Sequence, residues 1–190
     1  MAVEKLYDMW AKRNPQWETR YEDSVIRNFC DYTKGQTTMR DDRGKIFGAG
    51  YEIFIIAFFI GLYNDQRRPL ISDSSKCKSF GWAIENWGNI NSIKGRHPYP
   101  KLREFIFTAL VARTDINFID LDKDEFTARK AVDMLIQTME EYANWGFHYI
   151  ADKLIDDPTC YYKTTAFLEE FQKFDVSIEQ VGEEEPDSLD

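Results

Sequence analysis

Hydrophobic and polar positions alternate at helical spacing along most of the chain. Apolar residues recur every three or four positions, a pattern that predicts amphipathic helices. The predicted helical segments are Val3 to Ala11, Trp17 to Tyr32, Lys101 to Ala112, Glu125 to Ile155 and Tyr161 to Phe174. A shorter helix is predicted to start at Ser72 or Asp73, with a further packed segment from Phe80 to Trp87. Asn14-Pro15, Pro98 and Asp157-Pro158 mark breaks between segments, because proline does not fit a helix interior.

One stretch shows no alternation. The sequence YEIFIIAFFIGLY, residues 51–63, is apolar at almost every position, and Glu52 is its single charge. Its length exceeds that of an ordinary strand, and Gly61 with Asn64 provides a C-terminal stop, so we expect a central helix buried on most sides. A buried strand stays an alternative, because the stretch is rich in β-branched and aromatic residues.

These patterns predict an all-α fold, a single-domain irregular helical bundle with a buried central helix. Its 190 residues, 43% hydrophobic and 15% aromatic, are enough for one sizeable core. Residues 1–174 form the predicted helical domain. Residues 175–190 contain seven acidic residues and no Lys or Arg, so we expect a disordered acidic tail.

The apolar stretch is too short to be a membrane span. A bilayer core requires about 20 mainly apolar residues, and charges follow closely at Asp65, Arg67 and Arg68. The N-terminus is mixed in charge and lacks the basic start and apolar run of a signal peptide. We therefore expect a cytoplasmic protein without a membrane partner.

Residue types that carry out catalysis are scattered. Three cysteines lie far apart, which favours reduced thiols over disulfides or a metal knuckle, and neither His97 nor His148 has a metal ligand at the usual spacing. DLDKDEF at 120–126 opens like a calcium loop but has Glu125 at the position of the required glycine, so it is interpreted as a helix start. Phosphate-binding, dinucleotide-binding and serine-hydrolase motifs do not occur. The sequence predicts no metal site and no cofactor, and it gives an enzyme no support.

Charge is distributed unevenly. The chain carries −9 in total, but seven of these charges belong to the tail, which leaves −2 for residues 1–174. Residues 64–103 hold eight Lys and Arg against three acidic residues. Tryptophans are interleaved with these cations, and cations among aromatic rings are what phosphate contact and base stacking require.

The candidate nucleic-acid-binding residues are Arg67, Arg68, Lys76, Lys78, Trp82, Trp87, Arg96, Lys101 and Arg103. Two other interpretations stay open. The tryptophans can belong to the core with the cations as a solvated rim, or the region can bind the acidic surface of a protein partner.

The block RGKIFGAGYEIFIIAFFIGLYNDQRRPL, residues 43–70, resembles small bacterial proteins associated with Dnd phosphorothioation and related phage-restriction gene clusters. The matching positions are Phe47, Gly61, Arg67, Arg68 and Pro69. The resemblance implies an accessory protein of DNA modification or defence. We therefore expect an accessory or regulatory protein that binds DNA or RNA, with a non-catalytic protein-protein adaptor as the alternative and an enzyme third.

Overall fold

The computed structural model describes residues 2–30, 47–88, 100–121, 125–163 and 165–172. Arg96 and the predicted acidic tail lie outside the described residues. Six α-helices are labelled in chain order: α1 (Ala2–Ala11), α2 (Arg27–Phe29), α3 (Gly50–Tyr63), α4 (Pro100–Ala112), α5 (Phe118–Leu121) and α6 (Glu125–Asp156). Two strands, β1 (Gln16–Glu18) and β2 (Cys77–Ser79), pair antiparallel. A π-helical turn (Glu22–Ile26) leads into α2, and 3-10 turns occupy Ser74–Lys76 and Ile84–Asn86.

The chain is mainly helical, as predicted, but it is not all-α. Trp17 was expected in a helix, and it lies in β1 opposite Lys78 of β2. Pro15 lies between α1 and β1. It disfavours helical backbone at Asn14, the residue before it, and so separates this segment from α1. Trp17 is buried and stacks on Phe80 with ring centroids 5.6 Å apart, so burial of its ring favours the extended conformation.

The apolar stretch forms helix α3, and the strand alternative is wrong. The helix ends in a Schellman motif, with Asp65 in the left-handed region at φ +50°. The amide of Gln66 donates to the carbonyl of Gly61 (3.0 Å), and the amide of Asp65 donates to that of Leu62 (3.1 Å). Gly61 therefore lies within the helix, and Asp65 adopts the conformation that ends it.

Helices α3 and α6 cross at backbone contact. A Cβ atom on Gly61 would lie 2.2 Å from the carbonyl oxygen of Tyr142, and one on Gly146 would lie 1.9 Å from that of Ala57. No side chain fits in either space, so the two glycines set the distance between the helices. The pairing of residue 57 with 146 and residue 61 with 142 makes the helices antiparallel.

The buried residues form one hydrophobic cluster that extends from Leu6 to Phe167. Phe54 lies at its aromatic centre, with its ring 5.8 Å from Trp87, 5.9 Å from Phe80 and 6.0 Å from Phe147. Within the described ranges, no helix is both long enough and apolar enough to cross a membrane.

Phe80 to Trp87 was expected to form a packed helical segment. Only Ile84–Asn86 is helical, as one 3-10 turn. The aromatic residues at the two ends of this segment pack into the core, while Gly81 adopts φ +72° between them. The short, anchored segment therefore forms a loop.

Candidate binding surface

Arg67 of the Arg-Arg-Pro sequence is committed to contacts within the chain. Its guanidinium lies 4.7 Å from the ring centroid of Tyr142, and its Nη2 donates to the carbonyl of Arg113 at 2.7 Å, one residue beyond α4. A cation at this position satisfies a carbonyl at the helix C-terminus and interacts favourably with the helix dipole. Although Arg67 is exposed to solvent, its side chain connects the end of α3 to the end of α4.

Asp65 completes this network. One of its carboxylate oxygens pairs with Arg113 at 2.9 Å and accepts a hydrogen bond from the Tyr142 hydroxyl at 3.3 Å. The left-handed conformation of Asp65 therefore places its side chain between α4 and α6. The contacts of Asp65 and Arg67 together give this turn a structural role.

Arg68 and Pro69 are fixed to α6 through their backbone. The Arg68 amide donates to the Glu141 carbonyl (3.0 Å), and the side-chain amide of Asn144 donates to the carbonyls of Arg68 (3.2 Å) and Pro69 (3.0 Å). The Arg68 side chain is half-buried. The turn after α3 therefore follows the surface of α6 at a fixed position.

The two predicted lysines lie at the surface beside carboxylates. Lys76 is 3.5 Å from Asp73, and Lys78 on β2 is 2.7 Å from Glu22. Hydrogen bonds from Lys78 and Arg27 hold the pKa of Glu22 below its ordinary value. Exposed ion pairs of this kind contribute about 0–1 kcal/mol, so neither lysine is prevented from contacting a ligand.

The two candidate tryptophans differ sharply. Trp87 is 1% exposed and stacks on Tyr51 with centroids 5.5 Å apart and rings 7° from parallel. It is a core residue, and the prediction that it stacks on a base does not fit its position. Trp82 is 62% exposed, while its carbonyl accepts a hydrogen bond from the Trp87 indole at 3.2 Å. The loop is thus held in place at its backbone while the Trp82 ring faces solvent.

The start of α4 lies against the turn that follows Trp82. Arg103 donates from Nη1 to the carbonyl of Glu85, which fixes the first turn of α4 beside Ile84–Asn86. Lys101, two residues earlier, is exposed. We use the name Trp82 surface for Lys76, Lys78, Trp82 and Lys101. Their side chains are exposed, and the ion pairs of Lys76 and Lys78 lie at the surface.

A polar cluster that the sequence did not predict holds the base of this region. Glu18 of β1 is 4% exposed; it pairs with Arg20 at 2.7 Å and accepts hydrogen bonds from the Asn144 side chain (2.8 Å) and the Ile71 amide (3.0 Å). One turn earlier on α6, Glu140 accepts a hydrogen bond from the Gln16 amide at 2.7 Å. We call Gln16, Glu18, Glu140 and Asn144 the α6–β1 junction. Glu140 and Asn144 are four residues apart, a spacing that places them on one helix face but does not reveal what they contact.

A second polar cluster connects the C-terminal helical residues 166–172 to α6. Glu170 is 6% exposed, pairs with Lys153 at 2.6 Å and accepts a hydrogen bond from the Tyr149 hydroxyl at 2.9 Å. Lys153 also lies 4.6 Å from the Tyr149 ring centroid. Each carboxylate oxygen of Glu170 therefore has a partner on α6, which indicates a structural contact.

His148 and Cys160, the histidine and cysteine considered for catalysis, each have contacts of their own within the chain. Among the described residues, no group of three or more His, Cys, Asp or Glu side chains has the arrangement of a metal site. His148 pairs with Asp152 at 3.3 Å on the exposed side of α6, whereas the Cys160 thiol lies against the Lys153 carbonyl at 3.8 Å. Burial raises the pKa of the Cys160 thiol, which disfavours the reactive thiolate.

Comparison of the chain with protein-family models, with curated proteins and with solved structures found no match. The resemblance of residues 43–70 to the phosphorothioation-associated proteins therefore stays a prediction.

Proposed function

We propose that the protein is a non-catalytic accessory protein that binds nucleic acid through the Trp82 surface. The observation that carries this proposal is the exposed Trp82 ring, on a loop that follows Lys76 and Lys78 in the chain and whose backbone is held by the core residue Trp87. A fixed aromatic ring beside cations provides base stacking together with phosphate contact. The resemblance of residues 43–70 supports a role in DNA modification or phage defence.

The Trp82 surface is smaller than the predicted nine-residue interface. Trp87 is in the core, and Arg67 and Arg103 are used to position helix α4. A surface of three lysines and one tryptophan supports weak binding that depends strongly on salt, because each neutralised phosphate releases counterions.

Fluorescence anisotropy of a labelled single-stranded oligonucleotide, measured between about 50 and 200 mM salt, tests this proposal. Replacing Trp82 by Ala should weaken binding about 5- to 150-fold, which corresponds to the loss of one stacked base. Replacing Lys76 and Lys78 together by Ala should reduce the slope of log affinity against log salt by about 1.4 if both lysines contact phosphates of the single strand. The charge-matched double variant Lys5→Ala with Lys163→Ala controls for net charge, since both lysines lie outside the Trp82 surface, and its slope should change less.

A protein-protein adaptor is the second candidate. The pairing of Lys76 with Asp73 and of Lys78 with Glu22 gives this surface a mixed charge, which suits a protein partner, and exposed tryptophan is common in interface hot spots. If the intact protein shows no oligonucleotide binding at about 50 mM salt, the nucleic-acid proposal is wrong and the adaptor replaces it.

A further inference from the structure

The α6–β1 junction contains a carboxyl group in an unfavourable place for a negative charge. Glu140 is half-buried, and its one hydrogen bond among the described residues comes from the Gln16 amide. Glu141 follows it on the same helix. Arg13, the nearby cation, is already paired with Asp133 at 2.7 Å.

The strands bring a second carboxylate and a thiol to this junction. Glu18 of β1 carries a second buried carboxylate in the same junction, and Arg20 pairs with it. Cys77 of β2 lies opposite Glu18, and burial followed by the charges of Glu18, Glu140 and Asp73 raises the pKa of its thiol. Glu140 therefore has the hydrogen bond from Gln16, the carboxylate of Glu141 beside it in the chain and, in Arg13, a cation that is already paired with Asp133.

We propose that Glu140 makes the α6–β1 junction a proton-controlled contact, which holds β1 against α6 more tightly when Glu140 is protonated than when it is ionised. This inference does not depend on what the Trp82 surface binds. Because β1 pairs with β2, and β2 leads directly into the Trp82 loop, the contact governs the support of that loop.

The direction of the pH effect follows from the coupling between proton binding at Glu140 and opening of the junction. Burial, opposed by the Gln16 hydrogen bond and by Arg13, raises the pKa of Glu140 from its ordinary 4.5 to about 7. Between these two values the closed junction keeps the proton and an opened junction loses it, so raising the pH favours opening. Below 4.5 both forms are protonated, and well above 7 both are ionised, so the dependence is confined to this window and its edges. With a pKa of about 7 in the closed junction and 4.5 in the open one, the equilibrium constant for opening is about tenfold larger at pH 8 than at pH 6.

Two measurements on the full chain test the proposal. Carbon-13 NMR of the Glu140 side chain should give a titration midpoint near neutral pH. Hydrogen exchange of the Gln16 amide, corrected for the intrinsic pH dependence of exchange, should show protection about tenfold lower at pH 8 than at pH 6. Glu140→Gln keeps an oxygen acceptor for Gln16 but cannot ionise, and it should remove this difference. Glu104→Gln, at an exposed position on α4, should retain it.

A Glu140 midpoint close to 4.5 would overturn the proposal. So would equal changes in Gln16 protection in the parent protein and in Glu140→Gln. The carboxyl titration is made on the parent protein, so it decides the matter even where the variant is poorly folded.

Discussion

The crossing of α3 with α6 and the segment that follows α3 are attached to the same long helix by different means. The crossing is apolar and close enough that the backbones touch at Gly61 and Gly146. The following segment, residues 64–71, is held on α6 by hydrogen bonds to Asn144 and to the Glu141 carbonyl. Packing fixes the first attachment, and polar groups of defined geometry fix the second.

This difference separates the core from the proposed binding region. A packed crossing resists local change, because any displacement opens a void or creates a clash. A hydrogen-bonded segment retains its backbone position while its side chains can stay exposed. The loop that carries Trp82 is also held through its backbone, by the hydrogen bond from the Trp87 indole to the Trp82 carbonyl.

The largest effect is expected in the packed core. Phe58 is fully buried, and replacing it by Ala should lower the free energy of unfolding by about 3–5 kcal/mol, because a large cavity remains. Phe105 on α4 is 66% exposed, and its replacement by Ala should cost less than about 0.5 kcal/mol. Urea unfolding of both variants measures the difference. Equal losses would show that α3 is not the centre of the core.

The next effect concerns the helix crossing itself. Gly146→Ala places a methyl group where the Ala57 carbonyl oxygen lies, so the helices must separate, at a cost of about 3 kcal/mol. Gly81→Ala meets no atom within 4 Å but has φ +72°, and it should cost about 1–2 kcal/mol from backbone strain alone. Thermal unfolding of the pair distinguishes steric from conformational cost. A Gly146→Ala variant as stable as the parent would contradict the close crossing.

A smaller loss is expected at the hydrogen-bonded attachment. Asn144→Ala removes one partner from buried Glu18 and one from each of the carbonyls of Arg68 and Pro69, at a cost of about 1–3 kcal/mol. Gln137→Ala, about two turns earlier at an exposed position of α6, removes a single surface hydrogen bond and should change stability by less than about 0.5 kcal/mol. Chemical denaturation provides the comparison. An Asn144→Ala variant with unchanged stability would mean that other contacts hold the segment.

The periodicity of apolar residues over ten or more positions was enough to predict the long helices. Predicted α1, α4 and α6 agree with the structure to within about two residues, because each has either a clear apolar periodicity or a proline at its boundary. The buried helix α3 was also predicted, because its apolar stretch is longer than an ordinary strand. The sheet was missed because β1 and β2 have three residues each and are separated by about 60 positions, too short for an alternating pattern to be visible.

The candidate surface was harder to predict from the sequence. A count of charges located Lys78 and Trp82, but it could not distinguish them from Arg67, which contacts the end of α4, or from Trp87, which stacks on Tyr51. Whether a tryptophan is core or surface depends on the path of the chain in three dimensions. The α6–β1 junction joins residues more than 120 positions apart, and no local pattern indicates such a contact.

The central claim is that the anchored loop presents Trp82, and no buried tryptophan, to a nucleic acid. Acrylamide quenching of tryptophan fluorescence tests it directly, because Trp82 is 62% exposed while Trp10, Trp17 and Trp87 are at most 4% exposed. Trp145 is partly buried and contributes a smaller quenched signal. We expect a readily quenched fraction in the parent protein that falls in Trp82→Phe and is shielded when a saturating single-stranded oligonucleotide is added at low salt. An unchanged quenched fraction in the presence of bound oligonucleotide would contradict the claim.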